Sequence, residues 1–306
     1  MIKRKVIFIA GLLIIVLLLI EIGSGNGKRH TSALIHVVKQ QWRDMNHRSL
    51  PGLKGEGILL MDEDSGDILF SINDTARLYP ASTTKILTAL LMLEKGNPED
   101  LITVGSEVQL RTTGESSAGL RQGQELRLRD LAAAMLLPSG NDAARTAARY
   151  IARLDSGHSM SPEESEAYFA GLMNARAKEL GAEVSHFVNP HGLHDVNHYS
   201  TARDMAVIAR AAMENEDFRT LVAEQKHKAE LSNISFSNRN KLIQTGGEYY
   251  FQGADGIKTG FTDEAGYCLV ASASRNGRNL ISVVLHSTAE GVWKDSSKLL
   301  DYGFKL

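Results

Sequence analysis

The chain has 306 residues, 43% hydrophobic and 23% charged, with a formal net charge of −2. That balance suits a globular protein with a substantial core and leaves no basic footprint for nucleic acid. The single cysteine, Cys268, excludes an internal disulfide and a Cys-rich metal site; it does not exclude export, because a core of this size needs no covalent staples.

Lys3, Arg4 and Lys5 precede the apolar run Val6–Ile20, and Glu21, Ile22 and the small polar stretch 23–27 follow it. A positive flank, an apolar stretch and small residues fit a secretory signal. The run has 15 residues, or 17 with Glu21 and Ile22, which falls between a signal's apolar region and the roughly 20 residues that span a bilayer. Gly23 and Gly25 are only stand-ins for a small-residue cleavage site. Charge before the run places the N-terminus in the cytoplasm and the rest outside. Residues 1–27 are therefore read as a signal peptide or N-terminal membrane anchor, the retained anchor being preferred. The remainder is expected on the outer face of the cytoplasmic membrane, or secreted beyond it.

In segment 28–50, Leu34, Val37, Val38, Trp42 and Met45 recur at helical spacing and predict a short juxtamembrane helix. Pro51-Gly52 breaks the chain and opens the main domain, 51–306. Gly57–Met61 and Ile68–Ser71 bracket a polar turn and read as a β-hairpin. After Tyr79-Pro80-Ala81, Ser82 stands where a helix begins, and Ile86, Leu87, Leu90, Leu91 and Leu93 continue it to Gly96 as a C′ residue. Helical patterns run from Leu128 to Tyr150, broken at Ser139-Gly140-Asn141, and then from Pro162 to Leu180 and from Thr201 to Met213. Gly266–Ala273 and Leu280–His286 read as strands joined by a turn at Asn276-Gly277, and Val292–Phe304 as a terminal helix. No repeat or linker interrupts the layout. It predicts an α+β fold, an antiparallel sheet drawn from both chain ends with an inserted helical lobe, and a site between sheet and lobe.

Three clusters carry the chemistry: Ser82-Thr83-Thr84-Lys85, Ser139-Gly140-Asn141 and Lys258-Thr259-Gly260. Ser82 is the only serine with a lysine three positions on, and Lys-Thr-Gly occurs once. Together they supply what acyl transfer needs when a lysine activates a serine. Residues three apart share a helix face, so Lys85 can reach Ser82. A free lysine, with a pKa near 10.4, accepts a proton at neutral pH only if burial and a second cation disfavour its charge, and Lys258 is the candidate cation. Asn141 offers a donor to a substrate carbonyl and an acceptor to Lys85, and Ser139 can relay a proton to a leaving amine. Backbone N–H groups at and just after Ser82, with that of Phe261, are candidate oxyanion donors. Lys258 and Thr259 suit a terminal carboxylate, Gly260 lets an acyl group approach the backbone, and an edge strand here would pair with an extended peptide. Taken singly, each cluster also reads as helix capping or a turn beside a solvated lysine; their joint order and spacing favour the catalytic reading. His186, His191, His194 and His198 crowd a short segment, but Pro190 and Gly192 make it irregular, so a structured loop is preferred over a zinc site.

The S-x-x-K, S-x-N and K-T-G set resembles the signature of penicillin-binding proteins. More closely, Tyr-Pro-Ala-Ser-Thr-Thr-Lys at 79–85, Leu-Pro-Ser-Gly-Asn-Asp-Ala at 137–143 and Asp-Gly-Ile-Lys-Thr-Gly-Phe-Thr at 255–262 resemble the serine D-Ala-D-Ala carboxypeptidases of peptidase family S11. Asn189–Leu193 and Ser200–Ala206 also look like family stretches. The resemblance runs from about Gly57 to the C-terminus. It implies that Ser82 is acylated, with Lys85 as base, Ser139 and Asn141 as partners, and Lys258, Thr259, Gly260 and Phe261 contacting substrate. It further implies peptidoglycan stem peptides as substrates, β-lactams as covalent inhibitors, and no metal or organic cofactor. Many relatives carry a C-terminal β-rich domain and a membrane helix; here 46 residues follow Gly260, so anchoring is expected of the N-terminus.

Three other functions compete with this one, and the sequence does not separate the first of them from carboxypeptidase action, because both cleave a D-Ala carbonyl. A DD-endopeptidase would use the same site on cross-links. A class A β-lactamase needs a glutamate that positions the deacylating water; Glu163, Glu164 and Glu166 are the nearest candidates, without the Leu-Asn that follows it in that class. A non-catalytic wall-binding protein would not need the intact set.

Overall fold

In the computed structural model, which describes residues 50–306, the main sheet takes strands from both ends of that range. β1 (Gly57–Asp62) and β2 (Ile68–Ile72) form the predicted hairpin, and β7 (Ala254–Thr262), β8 (Gly266–Arg275) and β9 (Arg278–Ser287) follow late in the chain. The order is β2-β1-β9-β8-β7, antiparallel throughout, with Gly57 opposite Leu285 and Lys258 opposite Val270. Asn276 and Gly277 close the β8–β9 turn with φ of 52° and 76°, the left-handed pair a two-residue hairpin requires. The N-terminal apolar run and the predicted juxtamembrane helix, apart from Leu50, lie outside the described residues.

Both faces of the sheet are covered, which is why its inner strands read as continuous apolar runs rather than alternating ones. On one face Leu59, Met61, Val270, Ile281, Val283 and Leu285 join the core of the helical lobe. On the other, α7 (Gly291–Gly303) packs so closely that a Cβ on Gly303 would lie 2.6 Å from Leu280 Cδ1. Phe70 and Tyr302 meet there edge to face, 6.0 Å apart.

The lobe between β2 and β7 holds α1 (Lys85–Lys95), α2 (Leu128–Leu136), α3 (Asn141–Ser156), α4 (Pro162–Glu179), α5 (Ala202–Glu214) and α6 (Glu216–Ala223). Residues 85–93 of α1 are all buried, as expected of a helix at the centre of a core. Gly96 ends α1, but as an extended C-cap (φ −104°, ψ 171°) rather than a left-handed C′ residue. It is glycine for packing: a Cβ would come 2.3 Å from Leu128 Cδ1. Ser161 and Glu164 form a capping box around Pro162 at the start of α4. Two short antiparallel strand pairs and a helix escape the sequence pattern: β3 (Leu101–Thr103) with β4 (Glu125–Arg127), β5 (Lys226–Ala229) with β6 (Ile234–Ser237), and α6. Among the described residues no helix is long and apolar enough to cross a membrane.

Candidate active site

The three sequence clusters converge at the junction of lobe and sheet. Ala81–Thr84 is a single 3-10 turn running into α1. Ala81 has φ +47°, a left-handed conformation uncommon outside glycine, and it turns Ser82 toward the cleft. The N–H of Thr83 donates to Pro80 O at 3.2 Å, so of the predicted donors that amide is already engaged. The loop after α4 presses on this turn: a Cβ on Gly192 (φ +83°) would lie 1.9 Å from Ala81 O, so only glycine fits there.

Lys85 follows in the first turn of α1 and is fully buried. Its Nζ lies 2.8 Å from Ser82 Oγ, 2.7 Å from Asn141 Oδ1 and 2.7 Å from the backbone carbonyl of His191. Desolvation, then the charge of Lys258, hold its pKa well below the ordinary lysine value. Asn141 is in place because α3 begins on it, after Gly140. Ser139, 3% exposed with φ +66°, lines the same cleft; among the described residues its hydroxyl is in no hydrogen bond to Lys85 or Ser82.

The opposite wall is β7, the exposed edge of the sheet. A Cβ on Gly260 would stand 3.0 Å from both Pro80 O and Ser82 N, so the missing side chain leaves the space beside the serine open. Thr259, Gly260 and Phe261 line a cleft of about 580 Å³ together with Ser82, Ser139, Asn141 and Arg239. Phe261 is half exposed and packs against Tyr267, ring centroids 4.5 Å apart. Lys258 differs from expectation. It is 1% exposed, is not among the residues that line the cleft, and donates to Thr259 O at 2.9 Å. Burial, then the charge of Arg239, lower its pKa to about 7. The cation that faces the cleft is Arg239, whose Nη1 donates to Ser116 Oγ at 2.7 Å.

Two participants escaped the sequence reading. The His191 carbonyl is a backbone atom, with no side-chain signature. Arg239 is flanked by asparagines that fix its turn: Asn238 Nδ2 donates to Val222 O and Glu224 O, and Asn240 Nδ2 to Gly256 O. That Asn-Arg-Asn run, set just after a short alternating strand, was the available signal.

The four histidines serve separate local contacts. His186 Nδ1 meets Asn197 O, His194 packs on Tyr79, and His198 Nε2 lies 2.8 Å from Thr84 Oγ1. Burial lowers the pKa of His198 to about 3. Among the described residues no three His, Cys, Asp or Glu side chains could hold a metal ion. Of the three glutamates weighed for a deacylating role, Glu164 is held in the α4 capping box and Glu166 pairs with Arg145; none of the three lines the cleft.

The family model for D-alanyl-D-alanine carboxypeptidases of peptidase family S11 matches residues 44–289. The chain belongs to that family. It is 34% identical over 258 residues to the D-alanyl-D-alanine carboxypeptidase DacF of Bacillus subtilis (strain 168), covering 82% of this chain and 62% of that protein. To DacC of Escherichia coli (strain K12) it is also 34% identical, again over 62% of the relative, so the chain spans under two thirds of these S11 relatives. Solved S11-like structures cover it more evenly. The Streptomyces K15 DD-transpeptidase superposes with a TM-score of 0.75 at 31% identity, over 84% of this chain and all of that one. A D-alanyl-D-alanine carboxypeptidase from Mycobacterium tuberculosis H37Rv gives 0.73 at 30%, over 84% and 93%. The α+β architecture predicted from the sequence is thus the one these S11 neighbours share.

Proposed function

We propose that the chain is a serine D-Ala-D-Ala carboxypeptidase that removes the terminal D-alanine from peptidoglycan stem peptides through an acyl-enzyme on Ser82. One observation carries this reading: of the three atoms around Lys85 Nζ, Asn141 Oδ1 and His191 O can only accept hydrogen bonds. A neutral amine has two N–H groups, both spent on those acceptors. Its lone pair is then left facing the Ser82 hydroxyl, as a general base requires.

In the proposed sequence, the Ser82 proton passes to Lys85 Nζ as Oγ attacks the penultimate D-Ala carbonyl. The N–H groups of Ser82 and Phe261 receive the oxyanion. Ser139 then relays the proton held on Lys85 Nζ to the departing D-alanine amine, which leaves Lys85 neutral again. Water then gives a proton to Lys85 as it attacks the ester, and that proton returns to Ser82 Oγ as the acyl group leaves. β-Lactams enter as slow acylating substrates of the same serine. Arg239 and Thr259 take the substrate's terminal carboxylate, while the buried Lys258 helps to keep Lys85 neutral. The reading includes residues 51–306 as the catalytic domain, 28–50 as a juxtamembrane segment, and 1–27 as the element that carries the domain across the cytoplasmic membrane and anchors it there.

Purified protein given pentapeptide stems and cross-linked muropeptides is expected to release D-alanine from the former and leave the cross-links whole. Product analysis separates the alternatives. Cleaved cross-links without free D-alanine would make it an endopeptidase. Transfer of the acyl group to an amine would match the activity named for the Streptomyces K15 protein, and rapid turnover of a chromogenic cephalosporin would indicate a β-lactamase. Arg239→Ala should weaken peptides with a free terminal carboxylate by roughly 10- to 100-fold, the range of a lost charge-assisted hydrogen bond, and leave esterified analogues nearly unchanged. Equal losses for acid and ester, measured as kcat/KM, would move the carboxylate contact elsewhere.

A further inference from the structure

Helix α3 presents a second polar residue one turn after Asn141. Arg145 is i+4 from it, so both project from the same face. Its side chain is 4% exposed, and that of its partner Glu115 is 1% exposed. The pair is bidentate: Nη1 and Nη2 donate to Glu115 Oε1 and Oε2 at 2.6 and 2.9 Å. Glu115 sits in the loop Thr112–Ser116 that lines the cleft. The same loop is tied to the start of α3 by Asn141 N donating to Ser116 O at 2.9 Å.

On its other side, Arg145 Nε lies 3.2 Å from Glu166 Oε1, and Glu166 Oε2 lies 3.8 Å from His191 Nε2. His191 Nδ1 accepts from Leu193 N at 3.2 Å, which leaves the ring proton on Nε2, facing Glu166. Burial keeps that ring neutral. The carbonyl of this same residue is one of the three atoms holding Lys85 Nζ.

We propose that Arg145 is a positioning residue for Lys85: through Glu166 and His191 it fixes the carbonyl that orients the amine, and through Glu115 it fixes the facing wall of the cleft. Helix α3 thereby sets two of the three atoms around Nζ, Asn141 Oδ1 directly and His191 O through the ion-pair chain. A lysine at 145 could not replace the guanidinium, because a point charge lacks the planar fork that grips one carboxylate with two N–H groups while its Nε stays in ion-pair range of a second. The inference rests on Lys85 being the base. The charges around Lys85 are Lys258 on β7, Glu115 on the cleft loop, Arg145 on α3 and Arg239 beyond β6; Glu166 on α4 and the His191 ring complete that side. Of these, the cation at 145 disfavours a charge on Lys85 and Glu115 favours it.

The test is the second-order rate of acylation by a fluorescent penicillin, measured against pH, with thermal unfolding as a check on folding. R145K keeps the charge and loses the fork. It should acylate about 10- to 100-fold more slowly, the range for a displaced catalytic group, with the ascending limb unmoved. R145M should be slow as well, and its limb should move to higher pH because a cation near Lys85 is gone. E166Q removes the charge that links Arg145 Nε to His191 and should slow acylation with Glu115 still clamped. It decides the matter together with R145K if R145M does not fold. Folded R145K and E166Q proteins acylating within twofold of the parent rate would overturn the proposal while leaving the carboxypeptidase reading intact. A parent protein that is never acylated on Ser82 would remove both.

Discussion

Ser82→Ala is expected to form no covalent penicillin adduct and to release no D-alanine, a loss on the order of 10⁴-fold or more, since removing a nucleophile from a concerted unit costs most of its rate. The expectation is specific because the rest of the unit should survive the change. Without Ser82 Oγ, Lys85 Nζ keeps Asn141 Oδ1 and His191 O at 2.7 Å each, so neither burial nor hydrogen bonding of the amine collapses. Ser82 is only half buried, and the replacement leaves little void. The melting temperature should therefore stay level or rise slightly, as often happens when a strained functional group is removed. Intact-mass spectrometry after penicillin treatment is the direct measurement. An adduct on the alanine variant would place the nucleophile elsewhere, and a lost unfolding transition would mean that the absent adduct reported misfolding.

Much of this site is legible in the sequence because its parts are short, local and conformationally constrained. Ser82 and Lys85 lie on one turn, and Asn141 begins a helix that its neighbours Pro138 and Gly140 delimit. Lys258–Phe261 sits on a strand whose partner, Gly266–Ala273, is apolar enough to be read directly. The β1–β2 hairpin and the late strands are legible for the same reason, and their closure into one sheet follows from the helical middle between them. What could not be read depends on distance in sequence. The His191 carbonyl reaches Lys85 across 106 positions. Lys258 and Arg239 both appear as positive residues, but which one faces the cleft depends on a strand's edge and a turn's asparagines. β5 and β6 are four residues each, and β5, Lys-His-Lys-Ala, has too little apolar character to give a pattern. Helix α6 follows α5 after Asn215 alone, and its eight residues are too few to establish a period.

Lys258→Met should shift the ascending limb of the acylation profile to higher pH and slow acylation at any pH below that limb. The parent pair holds two amines in one buried region. Burial is the main cause lowering each, and the charge of Lys258 further disfavours a proton on Lys85. Acylation needs Lys85 neutral, so the rate rises with pH through an apparent pKa well below that of free lysine. Because the two amines interact, the observed values belong to the pair. Methionine keeps much of the side chain's length and removes the cation, so Lys85 holds its proton to higher pH. Stability supplies an independent check with its own sign. Lys258 binds its proton below about 7 in the folded protein but up to near 10.5 when unfolded. Between those values the unfolded chain holds the extra proton, so the parent gains stability as pH rises and loses it as pH falls toward 7. The methionine variant lacks this dependence, so its stability relative to the parent should be greatest below pH 7 and decline steadily toward pH 10. Thermal unfolding across that range measures the difference. An unmoved acylation limb would mean that Lys258 does not tune Lys85, whatever the stability curves do. Parallel stability curves would mean instead that the buried Lys258 is charged in the fold at ordinary affinity for its proton.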